Sequence, residues 1–401
     1  MARTLGTVVR GIRAPVVKRG DDIVETVVRA LDDSRKAEKY DIRDRDVIGV
    51  TESLVARAQG NYVTVDDIAG DVKAKFGGEV GVVFPILSRN RFSIILRGIA
   101  RGVEKVILLL NYPADEVGNT LMSADAMIGA GLNPYTDVLT EERYREICGT
   151  EFRHPFTGID YVRFYREIVE SEGTAAVFIF ANDPRVILRY TGRVLAADIH
   201  SRRATKRALR EAGAEVVFGL DDICREPAPG RGCNRDYGLL GSNKSTEERL
   251  KLFPRVRDER GRRYVEVIQS RLKDLTGKTV EVLIYGDGAF KDPAAGIWEL
   301  ADPVVCPDFT EGLRGVPGEI KMKYLIDNEM GDLAGEEAAE AVRIRIRGKG
   351  ARLVGLMASQ GTTPRQLSDL LGSLCDLTSG SGDKGTPVIL IQGYFDSYAS
   401  E

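Results

Sequence analysis

Apolar positions along the chain fall into two periods, and the switches between them predict the elements. KRGDDIVETVVRALDD places its apolar residues at helical spacing, with Asp21 or Asp22 near the start, where a carboxylate can accept from the free N–H groups of the first turn. A strand-like segment precedes it. A polar link leads to DVIGVTESLVARAQG, read as a strand run closed by Gly60. Val65 to Phe76 reads as another helix, with Asp66 and Asp67 at the positive end of its dipole. From residue 80 to 190 the runs VGVVFPI, KVILLLNY and AAVFIFAN alternate with helical stretches, the pattern of a sheet covered by helices. VLAADIHSRRATKRALREAGAEVVFGL continues it as strand, basic helix, strand. A Gly- and Pro-rich stretch, EPAPGRGCNRDYGLLG, then marks a boundary or an active-site loop. Beyond it a helix from Tyr264 to Leu275 stops at Gly277 before the strand TVEVLIYGDGAF, and the C-terminal part reads helix, glycine loop, strand. The expectation is an α/β fold with mixed sheets.

Composition narrows the function classes. A chain of 401 residues has room for two or three structural units. Lys and Arg total 57 against 60 Asp and Glu, so no global field favours nucleic acid or an anionic membrane. The longest apolar runs are strand-length, and the N-terminus lacks a long hydrophobic region, so neither secretion nor membrane spanning is expected. Five scattered cysteines without a CxxC pair fit a reducing cytoplasm. With His154 and His200 as the only histidines, a His-rich zinc site is not expected, which leaves oxygen-ligated Mg2+ or Mn2+ if a metal is used.

Four segments carry candidate chemistry. SGSGDKG has Gly380, Gly382 and Gly385 at GxGxxG spacing, but it leaves a helix and enters a strand, the reverse of a dinucleotide fingerprint. A plain turn is one reading; with Asp383 and Lys384 adjacent, an anion or metal-nucleotide loop is the other. YGDGAFKDP sets Asp287 and Asp292 just past a buried strand, where carboxylates can hold a hard cation, although Gly-Asp-Gly also suits a hairpin turn. Ser242, Asn243, Lys244, Ser245 and Thr246 precede an expected helix start, Ser245 and Glu248 having capping-box spacing. His200 stands beside Arg202, Arg203, Lys206 and Arg207, either a solvated helix face or a carboxylate or phosphate site. TGKT, at Thr276 to Thr279, lacks the upstream glycine of a P-loop and reads as a helix cap. Asp369 and Asp183 sit in two weaker polar patches.

Taken together, the segments resemble the coenzyme F-420 gamma-glutamyl ligase family. GIRAPVVKRGDDIVE is similar to the family's opening glycine, proline and GDDL element, and DRDVIGVTESLVARAQGN to its GDVLVV strand and following Ser-Thr pair. YGLLGSN resembles AGIDASN, LTGKTVEVLIYGDGAF resembles LTGKRVGVIITDTNG, and SDLLGSLCDLTSGSGDKGTPVILIQG the closing helix, GEGGDGIP loop and strand. The resemblance covers residues 5 to 61 and 236 to 396. It implies a ligase-like core, 1–61 and 236–401, and a central α/β insertion, 62–235, that binds the acceptor. Two family carboxylates are replaced, by Leu240 and Ser381.

The implied activity is GTP- or ATP-dependent ligation of L-glutamate to a carboxylate acceptor, a deazaflavin precursor, through an acyl phosphate, with Mg2+ or Mn2+. Gly11, Ile12, Arg13, Pro15, Glu52, Ser53 and Arg57 would contact the nucleotide, together with Ser242, Asn243 and Lys244, while Gly380, Ser381, Gly382 and Gly385 would form its phosphate loop. Metal would fall to Asp287 with Asp292, Asp383 or Asp369. Asp287, Arg57, Lys384 and His200 are the candidate catalytic residues. A homodimer in the cytoplasm is expected, without nucleic-acid or membrane partners. A folate-like acceptor and a non-catalytic nucleotide- or metabolite-binding regulator are the alternatives.

Overall fold

The computed structural model describes residues 5–286, 289–291, 298–300, 305–350, 353, 355–359, 365–379 and 383–400. In chain order come β1 (Val8–Ile12), α1 (Ile23–Glu38), β2 (Val47–Thr51), α2 (Glu52–Gln59), β3 (Tyr62–Thr64), α3 (Val65–Phe76), β4 (Glu79–Val83), α4 (Arg91–Gly102) and β5 (Lys105–Leu110). Next are α5 (Ala124–Gly129), β6 (Leu139–Thr140), α6 (Glu141–Cys148), α7 (Tyr161–Ser171), β7 (Ala175–Phe180), β8 (Arg193–Ala196), α8 (Arg202–Glu211) and β9 (Val216–Gly219). Then follow β10 (Asn243–Thr246), β11 (Arg249–Lys251), α9 (Tyr264–Thr276), β12 (Glu281–Tyr285), β13 (Ala289–Lys291), β14 (Trp298–Leu300), β15 (Asp308–Phe309), α10 (Met322–Glu329), α11 (Gly335–Arg347), α12 (Leu367–Ser379) and β16 (Val388–Gln392). The chain divides into two compact units, one of Met1–Val55, Val256–Gly288 and Val305–Glu401, the other of Ala56–Arg255 and Ala289–Val304. No described helix is long and apolar enough to cross a membrane.

In the first unit a five-stranded mixed sheet runs β1-β16-β2-β12-β15. β2 and β12 are parallel, and β16 lies antiparallel between β1 and β2. β12 and β16 are buried along their whole length, and β2 up to its last residue, because helices cover both faces. Val47, Leu283, Ile389 and Ile391 join Leu371 and Cys375 of α12 in one cluster. The intervening Ile48, Val282, Ile284 and Leu390 are equally buried, and α1 and α9 pack together and onto the same sheet. α1 begins where expected: Asp22 caps it, accepting from the Val24 and Glu25 N–H groups at 2.9 and 3.1 Å. Gly49 is required by packing, since a Cβ there would lie 2.4 Å from Cys375 Sγ.

One expectation needs correction here. DVIGVTESLVARAQG is not a single strand: β2 ends at Thr51 and the chain turns directly into α2. The β-branched residues stop at Thr51, and the following ESLVARAQ is rich in strong helix formers whose Leu54, Val55 and Ala58 are buried at helical spacing.

The second unit holds a six-stranded sheet ordered β6-β7-β5-β4-β8-β9. All neighbouring pairs are parallel except the edge pair β6-β7. Its five parallel strands, counted along the chain, therefore stand in the order third, second, first, fourth, fifth, a doubly wound sheet that reverses direction between β4 and β8. One face packs Val80, Val82, Leu108 and Phe178 against α3, α4 and α7, and the other packs Ile107, Ile179 and Val194 against α8 and the short 3-10 turn Pro184–Arg189. α3 starts with a reciprocal cap between Thr64 and Asp67.

The helix expected after Ser245 is absent. The segment is a hairpin, β10 and β11, whose second strand pairs with β3 through Leu250 opposite Val63. Ser245 and Glu248 fall around its turn, and the pairing of a short alternating strand outweighs a capping pattern that had no apolar helical face behind it.

Candidate functional site

The strand registers of the first unit bring four chain segments to one end of its sheet. Ile12 pairs with Val388, Val388 with Val50, and Thr51 with Tyr285. The carboxyl ends of β1, β2 and β12 therefore coincide with the start of β16. Two backbone bonds tie the loops: Ala14 N–H donates to Gly385 O at 3.2 Å, and Thr51 N–H donates to Pro387 O at 3.0 Å. Gly11 faces Thr386 so closely that an added Cβ would lie 3.0 Å from the threonine Cβ. Gly385 itself holds a φ of 66°, a conformation that favours glycine.

This arrangement gathers Gly11, Ile12, Arg13, Pro15, Glu52, Ser53, Asp383, Lys384 and Gly385 at the same sheet end. Arg13, Pro15, Asp383 and Lys384 are exposed, whereas Ile12 is buried beneath them. Along the outer edge of β1 a groove of about 1120 Å³ runs between that strand and α1. Gly11, Ile12, Arg13 and Pro15 line it, with Arg10 and Arg29 as further cations and Glu25 among its acids. Arg10 is held in place by Gln392 Oε1 at 2.6 Å and lies over the Tyr40 ring.

Three features of this end escaped the sequence: the burial of the candidate Glu52, the buried Tyr285 and an ion pair. Glu52 is 3% exposed in the first turn of α2, a carboxylate drawn into the protein beside the strand end. Tyr285, at the end of β12, is fully buried, and burial holds its hydroxyl well above the usual tyrosine range. Asp308 of β15 stands opposite Ile284, and Arg263, just before α9, donates to it from Nε and Nη2. Burial pushes the Asp308 carboxyl up while Arg263 pulls it down, and the pair holds the Arg263 guanidinium charged. No local pattern marks this pair, because its members come from separate elements.

Asp287, Asp292, Gly380, Ser381 and Gly382 lie outside the described residues. Asp369 sits in the first turn of α12, at the far end of that helix from the Asp383 loop. At 1.5 Å per residue, about 15 Å of helix separates Asp369 from Ser379. Asp369 is half-buried, and burial raises its carboxyl. Arg57, His200, Ser242, Asn243 and Lys244 belong to the second unit. Arg57 is exposed in the last turn of α2. Ser242 is fully buried and its hydroxyl donates to Leu239 O at 2.7 Å. Asn243 Oδ1 accepts from Arg91 at 3.4 Å, and Lys244 pairs with Glu247 at 2.6 Å within the hairpin. His200 is exposed. Leu240 is packed in the apolar core of the second unit. TGKT ends α9 as expected, Gly277 adopting the left-handed cap with its N–H on Lys273 O. Among the described residues, no three His, Cys, Asp or Glu side chains converge as metal ligands.

A glycine turn, basic side chains and oxygen donors collected at one end of a mixed sheet define an α/β enzyme with its candidate site on loops beyond the strands. The chain belongs to the F420-0:Gamma-glutamyl ligase family, whose model matches residues 11–393. The printed description of that family is one of gamma-glutamyl ligases. No curated protein matches it in sequence. Among solved structures, the tetrameric eIF2B-beta2-delta2 complex from C. thermophilum matches with 14% identity and a TM-score of 0.22, over 41% of this chain and 46% of that one. The chain thus spans under half the length of that relative, and so slight a likeness carries no argument.

Proposed function

We propose that the loops at the carboxyl ends of β1, β2 and β12 and the start of β16 form the nucleotide site of a GTP-dependent ligase. The ligase joins L-glutamate to a carboxylate of a deazaflavin-type F-420 precursor. The observation that supports this reading is the convergence itself: segments hundreds of residues apart are stitched together by the Ala14–Gly385 and Thr51–Pro387 backbone bonds. A carboxylate is a poor electrophile, so the reaction needs it activated as an acyl phosphate before an amine can displace phosphate. Arg13 and Lys384 would offset the phosphate charge, and Gly11 allows the 383–387 turn to approach β1 closely.

Carboxylate oxygens suit a hard cation. Glu52 and Asp383 supply carboxylate oxygens at this sheet end, and Asp287 follows Gly286 in sequence. Mg2+ or Mn2+ held there would neutralise phosphate oxygens. The second unit contains the central insertion, 62–235, which would bind the acceptor; the five cysteines, all of them free, suit a reducing cytoplasm, and a homodimer belongs to the same reading.

Incubating the protein with GTP or ATP, L-glutamate and either the deazaflavin precursor or a folate, then weighing the product, tests the assignment. The expected product is the glutamylated deazaflavin, formed with GTP and Mg2+ or Mn2+. Asp287→Asn should lose turnover and metal dependence together, and unchanged turnover in that variant removes Asp287 from the mechanism.

A further inference from the structure

The second unit carries a cavity that the ligase reading does not use. It has a volume of about 390 Å³ and lies over the carboxyl ends of β4, β5 and β7 and the start of α8, where the doubly wound sheet reverses. Open α/β sheets bind their ligands in that crevice. Asn111, Asn182, Ser201 and Thr205 give it polar walls together with the carboxyls of Asp115 and Glu116, while Phe84, Pro184 and three alanines form its apolar part. Phe84 holds a φ of 57°, an uncommon conformation for a bulky side chain, directly after β4. Small residues at Ala204 and Ala208, one turn apart on α8, leave the space open.

One side of this cavity is already filled by an anion from the protein itself. Glu116, carried on the loop after β5, reaches the start of α8 and accepts from Ile199 N–H at 2.5 Å, from His200 N–H and Ser201 N–H at 3.2 Å, and from Ser201 Oγ at 2.9 Å. Behind it lies a second, fully buried carboxyl. Asp198 Oδ2 is 2.7 Å from Thr205 Oγ1 and 2.8 Å from the same Ser201 Oγ. A serine has one hydroxyl proton and cannot donate to two carboxylates. The contacts are consistent when Asp198 is protonated, each group donating to the next from Thr205 through Asp198 and Ser201 to Glu116. Burial favours that form. The other Asp198 oxygen, Oδ1, is buried with no hydrogen-bond partner among the described residues.

We propose that this cavity is a second ligand site, for a phosphate monoester whose anion replaces the Glu116 carboxylate at the start of α8 while its organic body fills the apolar space. The four donors are spread over three consecutive residues, and two carboxylate oxygens meet three of them only at 2.9 to 3.2 Å. A phosphate offers three acceptor oxygens to the same donors. The start of α8 supplies the positive end of its dipole, and no Lys or Arg lines the cavity, so backbone N–H groups carry the recognition. Glu116 is then a built-in competitor that keeps the site closed until a better anion displaces it. The proposal is independent of the nucleotide site in the first unit.

The test uses the full chain, isotopically labelled, titrated with inorganic phosphate, glycerol 3-phosphate and glycerate while the amide resonances of Ile199, His200 and Ser201 are followed. Both phosphates should shift those amides, glycerol 3-phosphate more tightly than inorganic phosphate. Glu116→Gln should tighten inorganic phosphate about tenfold by removing the competing charge. Ala208→Leu, which fills the cavity, should weaken glycerol 3-phosphate yet leave inorganic phosphate unchanged, and this arm stands even where Glu116→Gln does not fold. Static amides at saturating phosphate in the parent chain and in Glu116→Gln would overturn the site. Tighter binding of glycerate than of glycerol 3-phosphate would overturn its assignment to a phosphate ester.

Discussion

Replacing Asp198 by asparagine should alter how stability depends on pH. Asp198 is fully buried, and that burial pushes its carboxyl from the ordinary 3.8 up to about 6, against the hydrogen bonds of Thr205 and Ser201 and with the help of the Glu116 charge. The folded value lies above the unfolded one, so the protonated group favours folding. That contribution is complete below about pH 3.8 and is lost as pH rises through about 6. The gap corresponds to about 3 kcal/mol in all, of which about 2 kcal/mol disappears between about pH 4.5 and 7.5. The amide of the Asp198→Asn variant does not titrate. Urea unfolding followed by circular dichroism at those two pH values should therefore show the variant gaining about 2 kcal/mol on its parent as pH rises. Asp115, also pushed up to about 6 by burial, titrates in both proteins and cancels. An advantage of equal size at both pH values would refute the protonated relay from Thr205 to Glu116.

Three further outcomes follow from other parts of the structure. Gly49→Ala should cost about 1–3 kcal/mol, because the new methyl meets Cys375 Sγ at 2.4 Å, and adding Cys375→Ala should recover part of the loss in thermal unfolding. Asp22→Ala should lower stability by about 1 kcal/mol through loss of two cap bonds at α1, read by urea unfolding. Lys384→Ala should weaken GTP binding by about tenfold in a calorimetric titration while leaving thermal stability within about 0.5 kcal/mol of the parent, since Lys384 is exposed.

Much of this fold was legible because its elements repeat a single period without interruption. α3 spans Val65–Phe76 as its apolar spacing and acidic first turn predict, and α9 stops at Gly277 because only a left-handed residue closes that turn cheaply. The failures share a cause. At Thr51 an apolar run continues across a change from strand to helix, so composition alone hides the junction. At Ser245 a short polar pattern suits two local structures, and the pairing of Leu250 with Val63 decides between them from far along the chain. The site divides in the same way. Motifs named the loop at Lys384, the opening segment at Gly11 and Glu52, but the burial of Glu52 and the Arg263–Asp308 pair depend on which elements meet in space.

The direction of one strand decides whether the ligase reading is possible. β16 enters the sheet antiparallel to both neighbours, so the loop before it arrives at the end where β1, β2 and β12 deliver the loops after them. Had β16 run parallel to β2, Lys384 would stand at the opposite end of a five-residue strand, about 17 Å away at 3.3 Å per residue. The bonds from Ala14 to Gly385 and from Thr51 to Pro387 exist because of that reversal. Substitutions within these loops can therefore change ligand preference without disturbing the buried strands. A change that reorients β16 would instead dismantle the cluster as a whole, because none of its remaining segments reaches β1 and β2 from the same side.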